Sequence, residues 1–140
     1  MSRFILPALL MFIMFGTKAI GNVKKQSFRK IITVIVNEQG SVFIGNDTLT
    51  SEKLTDELQK RLWKSYMGTD KMYDAIHLEF KGEVPENIIA SVKKAILESQ
   101  QKALTDICLQ KHKKLFEDLN SSQQEKIRKQ FPVLFQKDYY

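Results

Sequence analysis

The spacing of apolar residues changes from strand-like to helix-like and back, and this alternation constrains the fold more than any other feature of the sequence. Residues 31–37 (IITVIVN) are rich in β-branched side chains, which favour a strand. A second apolar arm, Val42–Ile44, follows Gly40, so the two arms predict a β-hairpin with its turn at residues 38–41. Residues 45–47 (GND) predict a second turn.

A helix is expected after this turn, because leucines recur at intervals of four residues. They form one apolar stripe, which consists of Leu54, Leu58 and Leu62. Thr50 or Ser51 is placed to cap the helix, and Gly68 is placed to end it in the left-handed conformation. The next segment, residues 74–81 (DAIHLEFK), alternates apolar and polar side chains and therefore predicts a half-buried strand.

Pro85 precedes a second, longer helix, since proline is tolerated in a first helical turn. The apolar stripe of this helix comprises Ile89, Val92, Ile96, Ala103 and Ile107. From about residue 108 we expect a helical C-terminal extension, which turns basic at Gln110 (QKHKK). Residues 120–122 (NSS) predict the cap of a short helix that runs to about Lys129.

Pro132 ends the short helix, and the stretch FPVLF at residues 131–135 predicts a last short strand. The expected order is therefore β-β-α-β-α-α-β. This is an α+β fold in which a small β-sheet carries the two main helices on one face. An exposed last strand has unpaired backbone groups, so we expect residues 131–135 to pair with a second copy and form a homodimer.

The positive charge of the chain is concentrated near its N-terminus. The formal net charge is +6, and the first 37 residues contain no acid. They contain six bases, which are Arg3, Lys18, Lys24, Lys25, Arg29 and Lys30. Removing these six from the 22 Lys and Arg leaves 16, which equals the 16 Asp and Glu, so residues 38–140 are neutral in sum. A nucleic-acid partner is therefore not expected, because such proteins present a broad basic face.

An uncharged apolar run, Phe4–Gly16 (FILPALLMFIMFG), indicates an export signal. The core of a signal peptide has about 7–15 apolar residues, whereas a bilayer-spanning helix needs about 20. Small residues allow cleavage after Gly21, which we prefer, or after Ala19. The alternatives are a short membrane anchor at residues 1–21, which would have to bury Lys18, and a buried N-terminal helix. Residues 22–30 predict a basic linker.

Cys108, the only cysteine, and His112 lie four residues apart on the second helix, a spacing that suits one metal ion or a thiolate–imidazole pair. Two ligands do not complete a metal site, so we expect a buried thiol beside a solvated histidine. His77 is expected on the polar face of its strand. The acid pairs point to different sides of a helix and are poor general acid–base partners; they are Asp56 with Glu57 and Glu117 with Asp118.

Trp63 and Tyr66 are candidates for a binding surface, although aromatic residues at helical spacing are more often core residues. The sequence contains no Gly-rich phosphate loop and no nucleophile-elbow motif. We therefore predict no catalytic residues, no cofactor-binding residues and no metal ligands, and we expect that the protein is not an enzyme.

Three stretches of the chain carry a resemblance to a known family. ITVIVNEQGSVFIGNDTLTSEKLTDELQKRL resembles the start of the periplasmic domain of the ExbD/TolR family of biopolymer-transport proteins, where a strand, a Gly-containing turn, a strand and a helix occur in this order. IHLEFKGEVPENIIASVKKAI resembles the family's next strand, its turn with Pro and the following helix. LQKHKKLFEDLNSSQQEKIRKQFPVLF resembles the C-terminal extension of ExbD-like proteins from Bacteroidetes-type bacteria. The resemblance covers about residues 31–136.

This resemblance implies a periplasmic domain that dimerises and works beside a proton-channel partner of the ExbB/TolQ type. Such complexes couple the proton gradient to TonB- or TolA-like proteins, and contact with the cell wall is a further expectation. Family members also carry a membrane helix with an Asp that takes part in proton movement. Phe4–Gly16 contains no acid, so no residue here inherits that role.

Two functions from different classes follow. The first is a non-catalytic component of an energy-transducing transport system that acts through its periplasmic domain. The second is a secreted periplasmic interaction module that reuses the fold without a transport role. Both imply a periplasmic location, reached either through a cleaved signal peptide or by tethering of the N-terminal segment to the inner membrane.

Overall fold

Four strands form one mixed sheet in the computed structural model, which describes residues 29–140. The strands are β1 (Ile31–Val36), β2 (Val42–Ile44), β3 (Asp47–Leu49) and β4 (Ala75–Phe80), in the order β3-β2-β1-β4 across the sheet. β2 is antiparallel to both of its neighbours, whereas β1 and β4 are parallel. Within residues 29–140, no helix combines the length and apolar character that crossing a membrane requires. The expectations for residues 1–28, a signal peptide or anchor and most of the basic linker, lie outside the described residues.

The predicted hairpin of β1 and β2 is confirmed, and Asn37 and Gly40 account for its turn. The backbone N–H groups of Gln39 and Ser41 donate to Oδ1 of Asn37 at 3.1 and 2.9 Å. Gly40 has a φ of +82°, a backbone conformation that glycine adopts without steric cost. After β2 the chain turns again and forms β3, which the sequence pattern did not predict because Asp47 and Thr48 are polar and exposed and the strand has no buried face.

Three helices complete the domain: α1 (Ser51–Thr69), α2 (Glu86–His112) and α3 (Ser121–Gln130). α1 packs against α2, and the leucine stripe of α1 is fully buried, as predicted. Most of the predicted stripe of α2 is buried as well. The buried side chains of β1, β2 and β4 alternate along each strand and belong to the same core. The predicted end of α1 at Gly68 is wrong, since the helix continues to Thr69 and Asp70 takes the left-handed conformation with a φ of 57°.

The predicted strand at residues 131–135 is also wrong. Pro132–Phe135 forms a 3-10 turn with the proline at its start. Val133 and Leu134 are both buried although they are adjacent, which the alternating side chains of a strand at the surface do not allow. The order of elements is therefore β-β-β-α-β-α-α instead of β-β-α-β-α-α-β. Residues 131–135 offer no strand to a second copy.

The residues after α2 pack back onto the domain. Asn120 caps α3, as predicted, through a capping box in which its Oδ1 accepts from the N–H of Gln123 at 2.8 Å. Ile127 of α3 is buried in the core. Phe131 follows α3 and meets the ring of Tyr66 edge-on, with 5.2 Å between ring centroids. The C-terminal fifth of the chain thereby contributes to the hydrophobic core.

Both main helices end where β1 and β4 begin. Nε2 of Gln110 lies 3.5 Å from Sδ of Met67, which places the end of α2 beside the end of α1. Nζ of Lys30 donates to Oγ of Ser65 at 2.7 Å, which places the start of β1 at the same end. We call this the proximal end, because residues 1–28 join the domain there, and the opposite end the distal end.

Candidate functional site

The C-terminal tail, Gln136–Tyr140, covers the outer edge of β4. β4 is the last strand of the sheet on this side, so its outward backbone groups need partners beyond the sheet. The carboxamide of Gln136 forms hydrogen bonds with both backbone groups of Ile76. Its Nε2 donates to the Ile76 carbonyl at 2.7 Å, and its Oε1 accepts from the Ile76 N–H at 2.8 Å. The N–H of Leu78 donates to the carbonyl of Tyr139 at 2.8 Å. The Gln136 side chain thus takes the place of one residue of a neighbouring strand.

Gln100 of α2 holds the same tail from the core side. Its side chain is 1% exposed, and its Nε2 donates to the carbonyls of Val133 at 2.7 Å and Gln136 at 2.9 Å. Its Oε1 accepts from the hydroxyl of Tyr139 at 2.7 Å. Burial raises the pKa of Tyr139, so its phenol is a neutral donor at ordinary pH. We call Gln100, Gln136 and Tyr139 the glutamine clamp.

A cavity of about 560 Å³ lies beside the clamp, against the outer edge of the sheet. Its size falls within the range of about 300–1,000 Å³ that is usual for ligand pockets. Arg29, His77 and Asp138 give it side chains that can carry charge of both signs, and Ile31 and Tyr140 add apolar surface. The cavity therefore offers hydrogen bonds, charge pairing and apolar contact, which suits the binding of a polypeptide segment.

A second cavity, of about 320 Å³, lies along α1 and α2. Several of its polar side chains are already paired; for example, Nε2 of Gln59 donates to Oδ2 of Asp106 at 2.7 Å. Lys102 on its wall forms an ion pair with Asp56 at 3.2 Å. Trp63 lines an adjoining surface pocket. Because these groups have partners within the protein, the cavity beside β4, whose wall includes the exposed Ile31 and His77, is the better candidate site.

Cys108 and His112 differ in their surroundings. Cys108 is fully buried, as expected, and His112 is half-buried. Burial raises the pKa of the Cys108 thiol above its ordinary value of 9.0, and the charge of Glu117 raises it further. A thiol that stays protonated is a poor metal ligand and a poor nucleophile. Across residues 29–140, no group of three or more His, Cys, Asp and Glu side chains is arranged to hold a metal ion.

The raised pKa of Cys108 leads to a prediction about its reactivity. In the folded protein, reaction with a disulfide reagent such as dithionitrobenzoate should be at least about 10³-fold slower than in urea, because reaction requires unfolding. The stabilisation from the neutral buried thiol is complete below the pKa of the unfolded thiol and is lost as the pH rises through the raised folded value. The control is Leu115→Cys in a Cys108→Ala background, since Leu115 is exposed. Equal rates for the two thiols in the folded protein would contradict this prediction.

The other residues singled out from the sequence lie apart from one another. His77 is exposed, as predicted, and lines the cavity at the edge of β4. Asp56 and Glu57 have separate partners, because Glu57 pairs with Arg61 at 3.2 Å. Trp63 and Tyr66 pack against the core, which supports their interpretation as core residues. Glu117 and Asp118 are exposed in a 3-10 turn.

Sequence reasoning missed all three residues of the glutamine clamp. One signal for Gln100 was present, because it lies four residues after Ile96 and three before Ala103, on the apolar stripe of α2. A polar side chain on such a stripe requires a buried hydrogen-bond partner. The sequence carries no comparable signal for Gln136, whose partner Ile76 lies 60 residues earlier.

Comparisons with known proteins yield no assignment. No protein-family model matches the chain, no curated protein matches it, and no solved structure matches it. The candidate site is therefore assigned from its geometry.

Proposed function

We propose that the protein is a non-catalytic component of an energy-transducing biopolymer transport system of the ExbB–ExbD/TolQ–TolR type, and that it acts through the domain at residues 31–136. The order of its elements carries the proposal. From β1 to α2, a strand, a Gly-containing turn, a strand, a helix, a strand, a turn with Pro and a helix follow one another, with the three-residue β3 added before the first helix. This is the order that the resemblance to the ExbD/TolR family implies.

The partners in this proposal are an ExbB/TolQ-like membrane protein and a TonB/TolA-like protein, and the location is the periplasm. The outer face of the sheet supports a protein contact. It combines the exposed Ile31, the half-buried Phe43 and the exposed His77. Apolar side chains beside hydrogen-bonding groups are typical of the surfaces by which proteins bind one another.

Homodimerisation remains part of the proposal but needs another surface, because residues 131–135 are not a strand and the tail covers β4. β3 forms the opposite edge of the sheet, and Asp47 and Thr48 on it are exposed. A second copy would pair at that edge.

Photo-crosslinking in the native host tests the transport role. A benzoylphenylalanine at His77, beside the candidate cavity, should capture an ExbB/TolQ-like or a TonB/TolA-like protein that mass spectrometry then identifies. The same probe at Glu125, on the exposed side of α3, is the matched control and should capture neither. The transport role fails if the His77 probe captures no such protein.

The N-terminal sequence of the recovered protein separates this role from its alternative. A start at Ile20 or Asn22 in the soluble periplasmic fraction, together with no captured transport partner, would replace the proposal with a secreted interaction module. An intact N-terminus in the inner membrane would instead favour a tethered subunit.

A further inference from the structure

Most of the exposed large apolar side chains of the described chain lie toward the proximal end of the domain. Six large apolar residues of the described chain are exposed, and four of them lie at this end. Ile31 begins β1, Met67 and Leu109 lie in the last turns of α1 and α2, and Leu115 follows α2 closely. Each exposes between 45% and 51% of its surface. An excess of exposed apolar side chains at one end of a domain is a feature of interaction surfaces.

Three lysines stand beside these apolar residues. Lys111, Lys113 and Lys114 run through the end of α2 and are exposed. Within the described part of the chain, none of the three forms an ion pair with an acid. Nζ of Lys111 lies 5.8 Å from the ring centre of Tyr66 and 5.7 Å from that of Phe131, so its ammonium group stays close to the domain.

The proximal end is positively charged even after its acids and helix dipoles are included. Its six bases are Arg29, Lys30, Lys71, Lys111, Lys113 and Lys114, and its four acids are Asp70, Asp74, Glu117 and Asp118. The C-terminal ends of α1 and α2 add about half a negative charge each, which leaves about one positive charge.

The segment that joins the proximal end indicates what this surface meets. Residues 1–28 precede Arg29, and in the tethered form of the protein they keep the apolar run Phe4–Gly16, whose composition favours a lipid environment over water. A surface of exposed apolar side chains among lysines has the composition of an interfacial membrane-binding surface. Lipid phosphates supply the complementary negative charge.

We propose that the proximal end binds the surface of an anionic lipid bilayer. Met67, Leu109 and Leu115 enter the headgroup region, and the lysines at the end of α2 lie against the lipid phosphates. This inference does not rest on the transport role, because its evidence is the charges and apolar side chains of this end together with the apolar run of the adjoining segment.

Binding of the full chain to vesicles tests the proposal. The vesicles contain phosphatidylcholine alone, or equal parts of phosphatidylcholine and phosphatidylglycerol, each with a trace of dansyl-labelled phosphatidylethanolamine. Trp63, the only tryptophan, lies one helical turn before Met67, so energy transfer from Trp63 to dansyl reports binding of the domain to the vesicle. The measured quantity is the partition coefficient for the vesicles with phosphatidylglycerol divided by that for the vesicles of phosphatidylcholine alone. The uncharged run Phe4–Gly16 contributes equally to both coefficients.

The ratio should fall at least about a hundredfold in the triple variant Lys111→Glu, Lys113→Glu and Lys114→Glu, since each lysine near an anionic surface contributes about fivefold. The matched control reverses the charge of three lysines that lie toward the distal end. It consists of Lys53→Glu, Lys81→Glu and Lys94→Glu. It should change the ratio by less than about threefold, because the charges lie beyond a Debye length of about 10 Å from the lipid.

Two results would overturn the proposal. One is an equal fall in both triple variants, which would mean that the net charge of the whole chain governs binding. The other is a wild-type ratio near one that does not respond to added salt. The salt titration uses the unmodified chain, so the test does not depend on the folding of a variant. Circular dichroism verifies that both triple variants are folded.

Discussion

Ending the chain after Phe135 is expected to lower the free energy of unfolding by about 4 kcal/mol or more. The deletion removes Tyr139, a buried aromatic side chain of the kind whose loss costs about 3–5 kcal/mol. It also removes Gln136, which satisfies both backbone groups of Ile76. Because single domains are stable by only about 5–15 kcal/mol, this is a large share of the total. Urea unfolding monitored by Trp63 fluorescence measures the change.

The same deletion should change the behaviour of the β4 edge. The amide of Leu78 loses the carbonyl of Tyr139, so its hydrogen exchange should accelerate, as should that of Ile76. An uncovered edge strand pairs with other strands, so light scattering should detect association that grows with protein concentration. The matched control removes only Tyr140, which is 64% exposed and whose ring contacts Phe80 and Lys93, and should change stability by about 1 kcal/mol or less. A truncated chain that stays monomeric with slow exchange at Leu78 would show that the tail does not protect this edge.

The sequence predicted the elements whose side chains repeat over several turns or residues. The leucine stripe of α1 and the alternation of β4 each report burial on one face, and a buried face is what tertiary packing selects. The capping of α3 by Asn120 was also predictable, because it depends on side chains within three residues. These features are local, so one chain segment contains all the information that they need.

The errors arose where distant contacts decide the conformation. FPVLF has the composition of a strand, but the edge that such a strand would need, on β4, is occupied by Gln136 and the carbonyl of Tyr139. The stretch instead packs against α2, α3 and Tyr66 as a 3-10 turn. β3 has only three residues, and its existence depends on pairing with β2. The glutamine clamp joins residues 100, 136 and 139 to β4, and no local pattern encodes such a contact.

Replacing Gln100 by leucine is expected to lower the free energy of unfolding by about 3 kcal/mol. Leucine has a volume similar to that of glutamine, so little of the lost stability comes from an empty cavity. Most of it reports the lost hydrogen bonds. Three groups lose their partner: the carbonyls of Val133 and Gln136 and the hydroxyl of Tyr139. Each buried polar group left without a partner costs about 1–3 kcal/mol, and those nearest the surface recover part of this from water. Gln101→Leu, on the exposed side of the same helix, is the control and should change stability by less than about 0.5 kcal/mol.

A double-mutant cycle with Tyr139→Phe separates the hydrogen bond from the packing of the ring. In the wild-type background this change leaves Oε1 of Gln100 without its donor and should cost about 1 kcal/mol. In the Gln100→Leu background the same change removes an unpaired hydroxyl from an apolar site, so it should cost nothing or stabilise the protein. The coupling energy between the two positions should therefore be about 1 kcal/mol or more. A coupling near zero would mean that ring packing alone holds Tyr139, and that Gln100 acts only on the backbone of the tail.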